Sequence, residues 1–208
     1  MAERRIRDIS QRLHPGVPVW PGDTPFSGQT TWDMGAGSPV NVSKLTLSTH
    51  TGAHADAPLH YSASAPDIAT VPLEPFLGEC LVVDARGCGA MIEPRHLPVL
   101  EGARRVLFRT YDAFPHEAWQ DEHSAIAPAT IAALAEAGVV LIGMDGPSLD
   151  PQDSKSMDAH LAVLAADMRV LEGLVLDDVP AGRYELIALP LPIVGGDASP
   201  VRAVLRDL

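Results

Sequence analysis

The feature that most limits what this chain can fold into is a set of short, nearly continuous apolar runs. Glu79-Cys80-Leu81-Val82-Val83-Asp84, Arg105-Val106-Leu107-Phe108-Arg109-Thr110 and Val139-Val140-Leu141-Ile142-Gly143-Met144-Asp145 lack the alternation of a strand with one wet face. Runs of this length and composition read as strands covered on both sides. The third ends in Asp145, expected where a buried strand emerges. Tyr184 to Leu191 reads as a further strand, and Arg5 to Ile9 as another near the start. Pro39 to Ser48 also reads as strand. Its apolar parity changes between Val40/Val42 and Leu45/Leu47, which predicts a bulge near Ser43-Lys44.

Helical signals fall between these runs. Pro128 suits a first turn, Ile131, Leu134 and Ala135 recur at helical spacing, and Gly138 suits the position just past the end. A second helix is predicted from about Met157 to Asp167, with Leu161 and Leu164 on one face. Strand–helix–strand alternation over the second half predicts an α/β fold. No linker, repeat or low-complexity stretch divides the chain, so residues 1–208 are expected to form one domain.

Composition removes several function classes. Fifteen basic residues against 27 acidic ones leave a net charge of −12, which repels phosphate backbones and anionic membrane surfaces. The longest apolar run is far short of the ~20 residues that cross a bilayer. The start, Met1-Ala2-Glu3-Arg4-Arg5-Ile6-Arg7-Asp8, is charged and has no apolar leader. Cys80 and Cys88 are too few for a disulfide framework and are not in C-x-x-C spacing, so reduced thiols and a cytoplasmic location are expected.

Chemistry concentrates in Ser48-Thr49-His50-Thr51-Gly52-Ala53-His54-Ala55-Asp56-Ala57-Pro58-Leu59-His60. His54 and Asp56 are two apart and share a side in extended backbone. Gly52 allows a turn that folds His50 back onto that side, and Pro58 bends the chain so that His60 arrives from another angle. Imidazole with carboxylate suits zinc, and also manganese or iron. Three protein ligands with an open position form the catalytic pattern. Asp56 can also bridge to a second ion. His160 and Glu172 are candidates to complete that second site. His14, His96, His116 and His123 lie in loop-like settings and are read as surface residues. The loop His14 to Pro25, rich in Pro and Gly, is expected to be rigid and to carry Trp20.

The segment His50 to His60 resembles the H-x-G-T-H-x-D-x-P-x-H signature of the cyclase-like metal-dependent hydrolases, with Ala53 where the signature has Thr. The stretches Asp158 to Leu161, Val170 to Leu174, Leu189 to Arg202 and Trp20-Pro21-Gly22-Asp23 are also similar to that family. The resemblance thus spans essentially the whole chain and is greatest to the family's bacterial formamidase branch. It implies a swivelling β/β/α fold, with a mixed central sheet or barrel flanked by helices, and a homodimer. It implies two Zn2+ per subunit: His50, His54 and Asp56 on the first, with Asp56 bridging, His160 on the second, and Glu172 on one or both. It implies His60 as proton donor and acceptor, and Trp20 as a substrate contact. The implied reaction is hydrolysis of N-formyl-L-kynurenine to L-kynurenine and formate. Isatin hydrolase and other amide- or lactone-cleaving relatives share the ligands and stand as the alternative, with a non-catalytic metal-binding dimer behind them. A serine route is not supported. Gly146-Pro147-Ser148-Leu149-Asp150 lacks the second glycine of a nucleophile elbow.

Overall fold

A computed structural model describes residues 4–208. The first three residues of the charged N-terminal stretch, Met1, Ala2 and Glu3, lie outside them. In chain order the strands are β1 (Ile6–Asp8), β2 (Ser27–Trp32), β3 (Val42–Thr46), β4 (His54–Asp56), β5 (Leu77–Asp84), β6 (Met91–Ile92) and β7 (Arg105–Arg109). They continue with β8 (Ala125–Ile126), β9 (Leu141–Met144), β10 (Arg169–Glu172), β11 (Gly182–Ile187), β12 (Ala198–Pro200) and β13 (Val204–Asp207). Two α-helices are described, α1 (Pro128–Glu136) and α2 (Asp158–Ala165).

Nine strands form one curled mixed sheet in the order β1-β13-β11-β5-β7-β9-β10-β4-β12. Its centre, β5-β7-β9-β10, is parallel. The apolar runs explain that centre. Along β5, Cys80 and Val82 enter one core while Val83 enters the other. Leu107 and Val106/Phe108 divide the same way on β7, and Leu141 and Ile142 on β9. One core lies under α1 and α2 through Ile131, Leu134 and Val163. The other fills the opposite face with Ile9, Phe76, Leu174 and Leu176. Over these stretches both faces of the central strands are therefore dry, as their sequences require.

The α/β class and the mixed central sheet agree with the expectation. α1 begins at Pro128, and Gly138 takes a φ of +84° just past its end. Other details differ. The irregularity in the β2–β3 pair falls between Thr30 and Trp32 of β2, not at Ser43-Lys44. The apolar parity change on β3 has no inner face to follow, because every residue of β2 and β3 is exposed. α2 buries Ala159, His160 and Val163 and leaves Leu161 exposed, so its inward face is not the leucine face. Asp145 does not emerge into solvent. It is buried, and its carboxylate accepts hydrogen bonds from the Thr110 and Tyr111 amides and the Thr110 hydroxyl. Burial pushes its carboxyl up to about 6, against those hydrogen bonds. No helix among the described residues is long and apolar enough to cross a membrane.

Candidate active site

The site is built on β4, which lies between β10 and β12 in the sheet. All three of its residues are buried. Antiparallel register with β10 sets Glu172 directly opposite His54 and Val170 opposite Asp56. Cross-strand partners of this kind have neighbouring Cβ atoms, so register alone brings two of the expected residues together. α2 then delivers His160 from above. The structure thus gathers His50, His54, Asp56, His160 and Glu172 into one cluster.

The two oxygens of Asp56 look in different directions. Oδ1 lies 3.2 Å from His50 Nδ1 and 3.5 Å from His54 Nε2. Oδ2 lies 3.4 Å from His160 Nε2. Glu172 divides similarly, with Oε2 3.4 Å from His54 Nε2 and Oε1 3.4 Å from His160 Nε2. His54 Nε2, His160 Nε2 and both Asp56 oxygens are buried without a hydrogen-bond partner. Unpaired buried polar atoms are costly, and four of them gathered in one cluster are what a bound cation would satisfy. Ligand atoms of His54, Asp56 and Glu172 lie within 4.8 Å of one another, as do those of His50, Asp56 and His60. The donor set fits a divalent metal held by nitrogen and oxygen.

The other nitrogen of each histidine is held from behind. His54 Nδ1 donates to the Gly52 carbonyl at 2.8 Å. His160 Nδ1 lies 2.6 Å from Asp150 Oδ2, and His50 Nε2 lies 3.0 Å from Asp197 Oδ2. Such outer partners fix ring orientation and tautomer at metal sites. Asp150 also accepts the Ala159 and His160 amides at the start of α2, where Met157 supplies no side-chain cap. Sequence reasoning missed Asp150 and Asp197. The only signal was their nearness to the segments carrying His160 and the C-terminal motif.

Electrostatics reflect this crowding. Burial works to raise the Asp56 carboxyl, but His160 and His50 hold it well below the usual range. Burial works to lower His50, yet Asp56 and Asp197 raise it to about 9. His160 is also raised, by Asp150, Asp56 and Glu172 acting against burial. Metal binding to imidazoles raised in this way is coupled to proton release.

His60 ends a short 3-10 turn, Pro58–His60, and is the most exposed member of the group. Its ring centroid is 4.3 Å from that of His50, and Nδ1 is 3.4 Å from Asp197 Oδ2. It faces a cavity of about 390 Å3 that also touches His50, His54, His160 and Glu172. Trp20 lines the cavity and meets Trp119 edge-on at 5.2 Å. Trp119, another residue absent from the expected set, is fixed by a 2.8 Å hydrogen bond from its indole N–H to Gln152. None of His14, His96, His116 and His123 joins the cluster. His123 is nonetheless half-buried, with Nε2 3.0 Å from the Asp150 carbonyl.

Residues 7–151 match the family model described as putative cyclase. Two proteins named kynurenine formamidase are similar along the whole chain. The one from Erythrobacter litoralis (strain HTCC2594) is 59% identical over 207 residues, covering 100% of this chain and 96% of that protein. The one from Maricaulis maris (strain MCS10) is 56% identical over 206 residues, covering 98% and 99%. Among solved structures, a "predicted metal-dependent hydrolase" from Bacillus stearothermophilus superposes with a TM-score of 0.84 at 30% identity, covering all of both chains. Isatin hydrolase A from Labrenzia aggregata bound to benzyl benzoate gives a TM-score of 0.83 at 26% identity, covering 98% and 94%. With its family match over residues 7–151 and full-length relatives at 59% and 56% identity, this chain belongs to the cyclase family.

Proposed function

We propose that this hydrolase cleaves N-formyl-L-kynurenine to L-kynurenine and formate. The observation that carries the reading is the clustering of four unpaired buried atoms from His54, Asp56 and His160 beside an aromatic-walled cavity. The full-length relatives favour a formamide over isatin, since the isatin hydrolases are more distant. We read the cluster as holding two zinc ions. His50 and His54 face Asp56 Oδ1, and His160 faces Oδ2, which suits a bridging carboxylate. Glu172, divided between His54 and His160, suits contact with both ions. Bound divalent ions would supply a nucleophile from water at neutral pH and polarise the formyl carbonyl.

The chain's own residues do the rest. His60 takes the proton released as water attacks and passes it to the departing aryl nitrogen. Asp197 sits behind its Nδ1 and leaves the other ring nitrogen for this transfer. Trp20 and Trp119 confine the aryl ring and exclude water from one side of it. His160 and Glu172 lie beyond the stretch matched by the family model, yet they close the cluster, which supports reading the chain as one domain.

The same reading includes a homodimer. β2 and β3 pair only with each other among the described strands, and Trp32 and Leu45 stand 58% and 56% exposed. A lone two-stranded hairpin is marginal in water, and a second copy would cover it. The enzymatic test is hydrolysis of N-formylkynurenine against isatin, with and without a chelator, alongside metal analysis. The reading expects formamide cleavage that chelation abolishes and about two zinc per chain. Turnover of isatin alone, or full activity in metal-free protein, refutes it.

A further inference from the structure

The cavity has a charge pattern that the formamidase reading does not explain. No lysine or arginine lines it among the described residues. Its acidic residues are Asp23, Asp145 and Glu172. Asp145 is committed to Thr110 and Tyr111, and Glu172 to the histidine cluster and the Leu149 amide. Asp23 remains. It is half-buried at the cavity wall, and no cation of the protein pairs with it among the described residues.

Its position is set by a turn. The Asp23 amide donates to the Trp20 carbonyl at 2.9 Å, and Gly22 takes a φ of +91°. Pro21 followed by a left-handed Gly22 is the pattern of a type II turn, which keeps the end Cα atoms within about 7 Å. Asp23 Oδ1 accepts the Thr24 amide, which steadies the side chain. The turn therefore places Trp20 and Asp23 together in the wall of the same cavity. The surrounding chain is at −12, so the wider field also favours a cation there.

We propose that Asp23 is an ammonium subsite, and that the enzyme selects aryl formamides carrying a primary amine on a short side chain. The inference rests on the formamidase reading. The aryl ring lies against Trp20 and the ammonium reaches Asp23. Among the described residues no lysine or arginine of the cavity wall pairs with a substrate carboxylate, which stays in solvent away from the histidine cluster. Two consequences follow from this. An analogue that keeps the amine and lacks the carboxylate is a substrate comparable with the parent amino acid. An analogue that keeps the carboxylate and lacks the amine is a poor one.

The test measures kcat/KM for the parent amino acid, its decarboxylated amine, its deaminated acid and unsubstituted formanilide. Wild-type protein should turn over the first two comparably and the deaminated acid about tenfold less well, as expected for losing a hydrogen bond between charged partners. In Asp23→Asn the ratio of amine-bearing to amine-free kcat/KM should fall about tenfold. Added salt should raise KM for the amine and not for the deaminated acid in wild-type protein, a check that needs no variant. Equal turnover of the amine and the deaminated acid, or an unchanged ratio in Asp23→Asn, overturns the subsite while leaving the formamidase reading intact. Failure to hydrolyse any of the four, formanilide included, overturns both.

Discussion

Asp150 holds two things at once, and its removal should show in two measurements. Its Oδ1 accepts the Ala159 amide at 2.9 Å, and its Oδ2 accepts the His160 amide at 3.1 Å and sits 2.6 Å from His160 Nδ1. Asp150→Ala removes the side-chain acceptor of the Ala159 and His160 amides at the start of α2 and orphans a buried imidazole nitrogen. A lost cap costs about 1 kcal/mol. A buried donor left unpaired costs about 1–3 kcal/mol. The sum is about 2–4 kcal/mol. For a chain of this size each kcal/mol moves Tm by about 2–4 °C, so a fall of roughly 5–15 °C is expected. Metal affinity should weaken about 10–100-fold, because His160 loses the partner that aims Nε2. Asp150→Asn keeps the shape and one acceptor, so it should recover part of the Tm but little of the affinity. Burial works to raise the Asp150 carboxyl, but His160 and the two amides hold it low. A carboxyl depressed in the folded state stabilises above its unfolded pKa of about 3.9, and that contribution fades as pH falls through the folded value. The stability gap between wild type and Asp150→Ala should therefore close in acid. Thermal unfolding in metal-free and zinc-saturated protein, with a chromophoric chelator as competitor, reads all three effects. An alanine variant that melts within about 1 °C of wild type and competes equally for zinc would refute the reasoning.

Two further outcomes follow from the proposed site and assembly. His60→Ala should keep its metal while kcat for the formamide falls by about 10²–10⁴, since proton transfer is lost but the buried cluster is untouched; near-normal turnover would exclude His60 from the chemistry. Leu45→Glu should shift the proposed dimer toward monomer in light scattering after size exclusion, because a carboxylate must then be buried against the second copy; an unchanged mass would show that the hairpin is covered in some other way.

The parts of the fold that the sequence made readable carry their signal locally, as a buried apolar run or as residues that begin and end a helix. β7, β9 and the stretch Cys80 to Val83 of β5 feed both cores, so their apolar runs admit little else. α1 carries its own start and stop in Pro128 and Gly138. β2 has the opposite environment, wet on every residue, and Ser-Gly-Gln-Thr-Thr-Trp offers no periodicity to read. β10 is only four residues long and follows α2 closely, so Glu172 was visible as a candidate while its strand was not. α2 misled for a related reason. Its inward face is Ala159, His160 and Val163, with the histidine in place of a large apolar residue, and the eye goes to Leu161 and Leu164 instead.

The metal-facing side chains could be proposed from local spacing because β4 places His54 and Asp56 on one side within a single strand. The residues behind them could not. Asp150 reaches His160 from ten residues away across a loop, and Asp197 reaches His50 from 147 away. Two glycines show how tightly that long-range fit is drawn. Gly173 follows Glu172 with a φ of +64°, and a Cβ there would meet the Gly52 carbonyl oxygen at 2.6 Å. That same carbonyl accepts from His54 Nδ1. The backbone after one cluster residue thus packs on the backbone that aims another, and any side chain between them would push the Gly52 carbonyl away from His54. The site depends on this close approach as much as on its ligating atoms, and it arises only when β4 and β10 pair.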